Sequence, residues 1–211
     1  MRRRAPAAVD VGYVDAIGRL MKRIESLLKG VDPTKLPLRV YIAGGAAAFF
    51  HTGGRTSRDV DATLSLKLHL PTDLEEAYVD RDGNPASVYL DGRYTDTLGP
   101  LHEDAYKDAE ALEIAGIDAS KVDVRVLAPI DLAISKLGRL SDLDKADIAA
   151  MAAAGLIDPR AFERRAVEAL DYYVGQPATP RVNLADALKI IRRNISASKR
   201  GKRPSKGRRA K

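Results

Sequence analysis

The chain of 211 residues contains no cysteine and no tryptophan. Without cysteine, disulfides and thiolate-ligated zinc or iron–sulfur centres are excluded. Three histidines at positions 51, 69 and 102 have no metal-ligand spacing, so they read as structural residues rather than a polyhistidine site. Aromatic residues make up only 5% of the chain, and the adjacent pair Tyr172-Tyr173 reads as core packing at a helix end. Long apolar runs are also missing. The longest, Val40 to Phe50, is broken by Gly44-Gly45 and is too short to span a bilayer. No apolar segment follows Arg2-Arg3-Arg4, so neither a secretory signal nor a membrane anchor is expected, and the reading is a cytoplasmic protein.

What the chain does contain is an ordinary globular composition, 45% hydrophobic and 30% charged. At this length about 70% of the unfolded surface can be buried, enough for a normal core. The formal net charge is +6, but it is concentrated at the ends. Lys199 to Lys211 holds eight basic residues and no acid, and Arg2 to Arg4 add three. The remainder carries 24 basic against 29 acidic residues, a net of −5. The C-terminal segment has no apolar residue larger than alanine and reads as disordered. It suits either a polyanion-binding arm, RNA being the natural partner, or a solubilising tail. If about five of its charges engaged single-stranded RNA, affinity would fall roughly 100-fold between 50 and 200 mM salt.

Hydropathy patterning divides the rest. Val11, Val14, Ile17, Leu20, Met21, Ile24, Leu27 and Leu28 recur at helical spacing up to Gly30. A short β-rich run at 38–43 leads into Gly44-Gly45 and a small-residue helix to His51. Residues 59–66 are β-prone. Ser87 to Leu90 reads as a strand, with Gly92 turning it toward a hairpin partner at 94–98, while 70–84 and 101–120 are ambiguous. Val122, Val124 and Val126 alternate as a strand. From Pro129 the pattern is helical: 130–140, a helix from the Ser141/Asp144 capping box to Gly155, one from Asp158-Pro159 to about 174, and one capped by Asn183 and ending near Ile195. The expected organisation is an N-terminal helix (1–37), an α/β core (38–128), a helical C-terminal subdomain (129–197) and a basic tail (198–211).

Chemistry concentrates where the β-run ends at Gly44-Gly45 and where Arg55-Thr56-Ser57-Arg58-Asp59-Val60-Asp61 begins the next strand. A helix N-terminus presents free N–H groups and a positive dipole end, and glycine lets a phosphate reach the backbone. Asp59 and Asp61 are two apart, so on a strand both carboxylates share one face. At about 5 Å they repel by roughly 3 kcal/mol at an effective dielectric near 20. Either a divalent cation, Mg²⁺ or Mn²⁺, or Arg55 and Arg58 must offset that.

Two charges also fall on apolar arcs. At 100° per residue from Leu132, Lys136 lies near 40°, between Leu132 and Leu140, with Asp131, Ser135, Gly138 and Arg139 on the polar face. From Leu143, Asp147 lies near 40°, between Leu143 and Met151. One reading is an inward ion pair, Lys136 with Asp147. The other is a phosphate-binding lysine oriented by Asp147.

Gly-Gly after a strand, a short helix, a basic turn and Asp-Val-Asp on the following strand resemble the nucleotidyltransferase fold of the DNA polymerase β superfamily. The thirteen residues between Gly45 and Asp59, and the later segments Val122 to Leu132, Lys136 and Asp144 to Ile148, are similar to its bacterial toxin-like branch, the AbiEii-type enzymes and their uncharacterised relatives. The resemblance spans about residues 38–175.

It implies a mixed sheet flanked by helices, with a helical C-terminal half. It also implies an enzyme moving a nucleoside monophosphate from an NTP to RNA (tRNA above all) or to a protein hydroxyl, with a role as the toxin of a toxin–antitoxin or phage-defence pair and a cognate antitoxin as one expectation. Under it Gly44 and Gly45 hold phosphates and Asp59 and Asp61 hold Mg²⁺. Lys136 and Arg55 stabilise the leaving pyrophosphate, and Asp147 orients Lys136. A third carboxylate completes the site: Asp123 first, with Asp91 and Asp96 as competitors. Ala46 departs from the hydroxyl that many family members carry after the glycines. Two other readings stay open, a catalytically silent member that binds nucleic acid or a protein partner, and an enzyme that modifies small molecules of the antibiotic type.

Overall fold

The computed structural model describes residues 10–91 and 99–201, with side chains through 198. The 94–98 strand and Asp96 therefore lie outside the described residues, as do 202–211 of the basic tail. The protein is a mixed α/β structure with a helical C-terminal half. Strands β1 (Leu38–Ile42), β2 (Asp59–Leu64), β3 (Glu75–Val79), β4 (Pro85–Asp91), β5 (Glu110–Ala111) and β6 (Val122–Val126) form one sheet in the order β3-β4-β2-β1-β6-β5. β1 runs antiparallel to β2 and parallel to β6, and β2 runs parallel to β4. The partner of β4 within the ambiguous 70–84 stretch is β3, antiparallel across the turn at 80–84.

Period-2 alternation sets which face is buried. Leu38, Val40 and Ile42 of β1, Val122, Val124 and Val126 of β6, Val60 of β2 and Val88 and Leu90 of β4 face the core. The opposite face carries Arg39, Tyr41, Asp59, Asp61, Tyr89, Asp91, Asp123 and Arg125, all outside the buried set. Helix α1 (Val11–Ser26), capped by Asp10, packs against β3 and β4 through Tyr13, Ala16, Ile17, Leu20, Met21 and Ile24. Its stripe is rotated from the expected one, because Tyr13 turns inward and Val11 is left exposed. The helix also closes the sheet edge. Arg19 and Arg23 donate to the outward carbonyls of Ala77 and Glu75, and Gly12 sits so close to the Val79 carbonyl that a Cβ would collide with it. An edge strand blunted in this way is a poor template for pairing with another chain.

Helix α2 (Gly44–Thr52) follows β1, and α3 (Pro129–Ser135) follows β6. After Ser135 the chain tightens into a 3₁₀ turn, Lys136–Gly138, and Leu140 adopts φ 48°. That left-handed residue costs about 1–2 kcal/mol. It swings the chain so that Ser141 and Asp144 form the expected capping box of α4 (Asp142–Ala153). Helix α5 (Pro159–Asp171) starts at Asp158 as expected.

Helix α6 (Ala178–Gly201) is longer at both ends than the pattern suggests. Asn183 lies inside it rather than capping it, its amide donating to the Leu137 carbonyl at 2.8 Å. Three more readings change. Asp131 belongs to the interior: it is 1% exposed and gripped by the Arg165 fork at 2.7 and 3.0 Å. Leu143 is exposed, so α4 buries Asp144, Asp147, Ile148 and Met151 instead. Tyr172 is exposed rather than packed. No helix among the described residues is long and apolar enough to cross a membrane.

Candidate active site

The site lies where the C-terminal end of β1 meets the start of β2. Because the two strands are antiparallel, Ala43 reaches the level of Asp61 and donates its N–H to the Asp61 carbonyl at 2.8 Å. Gly44 then turns into α2 with φ 59°, a left-handed conformation that side chains rarely adopt. A Cβ there would also collide with the Asp61 carboxylate. A Cβ on Gly45 would come within 2.8 Å of the Ser57 hydroxyl and 3.3 Å of an Arg55 nitrogen. The glycines thus let the α2 N-terminus press against the acidic strand, and that N-terminus has no side-chain cap. We expect Gly44→Ala to cost about 1–2 kcal/mol of backbone strain and to displace Asp61. Thermal melting reads the first effect, and a changed Asp61 titration the second.

Asp59 and Asp61 do share a face. Ser57 donates from Oγ to Asp59 Oδ1 at 2.6 Å, and the buried Tyr13 hydroxyl accepts from the Ser57 backbone N–H at 3.3 Å. Burial pushes the Tyr13 phenol pKa up and keeps it neutral. Asp61 is pushed up to about 6, by burial first and then by Asp59 and Asp91, against the pull of Lys136 and Arg139. A carboxyl raised in this way marks a place short of positive charge.

Asp91 contributes because β4 is parallel to β2 and pairs Asp61 with Asp91 in register. Asp123 is not brought to this cluster. It stands opposite Arg39, four residues before Ala43, which places it ~13 Å along the sheet and two strands across. Its carboxylate is held by Arg125 at 2.8 Å and Arg39 at 3.8 Å.

On the other side, the turn after α3 and the loop before β2 deliver cations, and α4 delivers the carboxylates that hold them. Lys136 is 7% exposed, and its ammonium lies 2.8 Å from Asp147 Oδ2 and 3.3 Å from Asp144 Oδ1. Arg55 reaches the same Asp147 oxygen at 3.0 Å. Arg139 forks onto Asp144 at 3.0 and 3.1 Å. Burial alone would raise Asp144, but Arg139, Ser141 and Lys136 outweigh it and hold the carboxyl far below the ordinary range. So Asp147 bridges two cations, one from the loop before β2 and one from the turn before α4.

The structure also adds Ser57 and Arg139 to the candidate site. Ser57 carries a sequence signal, a hydroxyl two positions before Asp59; Arg139 carries none.

The donor set fits a hard divalent cation. It offers carboxylate oxygens, one held above its normal pKa by burial and then by like charge, beside a backbone cradle that a Cβ would fill. Among the described residues no three carboxylates or imidazoles close into a complete cage. Mg²⁺ commonly takes one or two carboxylates and completes its shell with water and substrate phosphates.

A mixed sheet that sets a glycine-opened helix N-terminus against Asp-x-Asp on the next strand has the organisation of a nucleotidyltransferase-type α/β domain. The family described as "Nucleotidyltransferase of unknown function (DUF6036)" matches residues 18–191, most of the chain, and the protein belongs to it. The match takes in much of α1 and α6, beyond the span of the motif resemblance. No curated protein and no solved structure matches the chain.

Proposed function

We propose that the protein transfers a nucleoside monophosphate from an NTP to an acceptor hydroxyl, with RNA as the acceptor class. The observation that supports this most is the contact of Gly44 with Asp61, which joins a phosphate cradle to a carboxylate pair in one place. In this reading the α2 N-terminus and the Gly44-Gly45 backbone bind the β- and γ-phosphates. Asp59 and Asp61 hold Mg²⁺ or Mn²⁺, and Asp91 replaces Asp123 as the third carboxylate. When bound, the cation neutralises the triphosphate and eases ionisation of the acceptor hydroxyl. Ser57 fixes the Asp59 rotamer. Lys136 and Arg55, steered by Asp147, stabilise charge on the departing pyrophosphate.

The acceptor oxygen bonds to the α-phosphorus as the bridge to the β-phosphate breaks, and the hydroxyl proton passes to the carboxylate cluster. The basic segment Lys199–Lys211 supplies a sequence-independent hold on RNA. A toxin role, in which added nucleotides block tRNA function and a cognate antitoxin is the partner, belongs to the same reading.

The test is Mg²⁺-dependent labelling of total RNA and of protein by each of four α-labelled NTPs. Wild type is run beside the Asp59→Asn/Asp61→Asn double variant. RNA label that vanishes in the double variant is the expected result. Label in protein or in a small molecule replaces the acceptor. Absence of label from folded wild type overturns the reading in favour of a silent binding protein.

A further inference from the structure

Tyr89 stands where an acceptor has to approach. β2 carries Asp59 and Asp61 between two neighbours, β1 and β4. The phosphate-binding elements all lie on the β1 side: Gly44 and Gly45 follow β1, and Arg55 turns toward Lys136 and Asp147 there. In-line displacement places the attacking oxygen opposite the leaving pyrophosphate, so the acceptor enters from the β4 side. On that side the parallel register sets Tyr89 directly beside Asp59, just as it sets Asp91 beside Asp61. Tyr89 points out of the carboxylate face and is 36% exposed, while its neighbours Val88 and Leu90 are buried on the other face.

The Arg58 guanidinium lies 5.9 Å from the Tyr89 ring centroid, the outer limit of a cation–π contact, and its side chain is 72% exposed. Arg58 also lines an open cleft of about 570 Å³ with Thr56, Tyr78, Pro85, Ala86 and Ser87, at the start of β4 and before Tyr89, which does not line it. An exposed aromatic face in register with Asp59 and a largely exposed guanidinium, tied to the surface carboxylate of Glu75 at 3.6 Å, are the components of a single-strand stacking site.

We propose that Tyr89, with Arg58, is the platform on which the terminal nucleobase of the RNA acceptor stacks, so that the acceptor hydroxyl meets Asp59 and Asp61. The platform deepens the RNA reading given above and rests on it. Tyr89 is a specificity residue, touching the acceptor and not the phosphates.

The chain has no tryptophan, so Tyr89→Trp introduces a single fluorescent reporter that also preserves a stacking surface. With the full-length protein and a short single-stranded RNA bearing a free 3′ hydroxyl, the emission of that variant is quenched by the RNA without NTP and is unchanged by NTP alone. Tyr89→Ala raises the KM for RNA about 10-fold or more, and the KM for NTP changes less than about 2-fold. Quenching by NTP alone assigns the platform to the donor base and overturns the proposal. So does an unchanged KM for RNA in Tyr89→Ala, or emission that RNA leaves unmoved.

The quench needs no turnover, so the two failures separate. Wild type that labels no RNA defeats the functional reading. Wild type that labels RNA while Tyr89→Trp stays unquenched defeats the platform alone.

Discussion

In the metal-free protein at neutral pH, Asp61→Asn raises the melting temperature by roughly 2–8 °C, although with Mg²⁺ present the same substitution cuts the proposed nucleotidyl transfer. The sign follows from the raised pKa. Unfolded, the carboxyl titrates near 3.8; folded, at about 6. Below the lower value the group is protonated in both states and contributes nothing. Between the two values the native state keeps a proton that the unfolded chain has released, so stability falls as pH rises. Above about 6 the cost is complete. At 1.36 kcal/mol per pH unit it is about 3 kcal/mol, and solvent screening reduces it to about 1–2.

Asparagine removes that cost because it carries no charge. Thermal melts at pH 7.5 and pH 4 read the effect, and the stabilisation should disappear at the lower pH. Added Mg²⁺ should then reverse the order, because it stabilises only a protein that binds it. Transfer falls about 10³-fold or more in the variant, the scale of losing a group that stabilises transition-state charge. An Asp61→Asn protein that melts lower than wild type at neutral pH contradicts this account of the cluster.

Lys136→Ala has the opposite stability signature. It strips the ammonium from between Asp144 and Asp147, each nearly fully buried. Arg139 still holds Asp144 and Arg55 still holds Asp147, so the loss is about 1.5–3 kcal/mol, the scale of hydrogen bonds to charged groups, or roughly 3–12 °C of melting temperature at this size. Instability alone does not separate a structural lysine from a phosphate-binding one. The double variant Lys136→Met/Asp147→Leu does, because apolar replacements of similar volume recover most of the stability of a buried pair. We expect near-wild-type melting with transfer still lost. Recovery of transfer together with stability makes Lys136 a purely structural residue.

The local parts of this structure were legible in the sequence because each rests on near-neighbour physics. The α1 periodicity, the Asp158-Pro159 start and the Ser141/Asp144 capping box all depend on residues within one or two turns. Asp59 and Asp61 on one face need only the two-residue repeat of a strand. The inward placement of Lys136 and Asp147 follows from helical phase, although the chain leaves the α-helix at Ser135.

What escaped was non-local. Asp91 reaches Asp61 only because β4 pairs parallel to β2, a register that no local pattern encodes, and Asp123 reads as the first choice until β6 is placed beyond β1. The hairpin partner of β4 lies upstream at β3, where Glu75, Glu76 and Tyr78 carry weak strand signals. Asp131 reads as a surface acid until Arg165 of α5 is folded over it. Leu143 and Tyr172 failed in reverse, apolar residues left in water because their helices turn other faces inward.

The central claim is that this site breaks the bond between the α- and β-phosphates and passes the α-phosphoryl group on with its nucleoside. The most direct measurement uses the accepted NTP labelled either at the α- or at the γ-phosphorus, with RNA as acceptor and Mg²⁺ present. The account predicts α-label in RNA, γ-label recovered as pyrophosphate, and neither in Asp59→Asn. Transfer of γ-label to the acceptor, or no transfer of either label by folded wild-type protein, contradicts it.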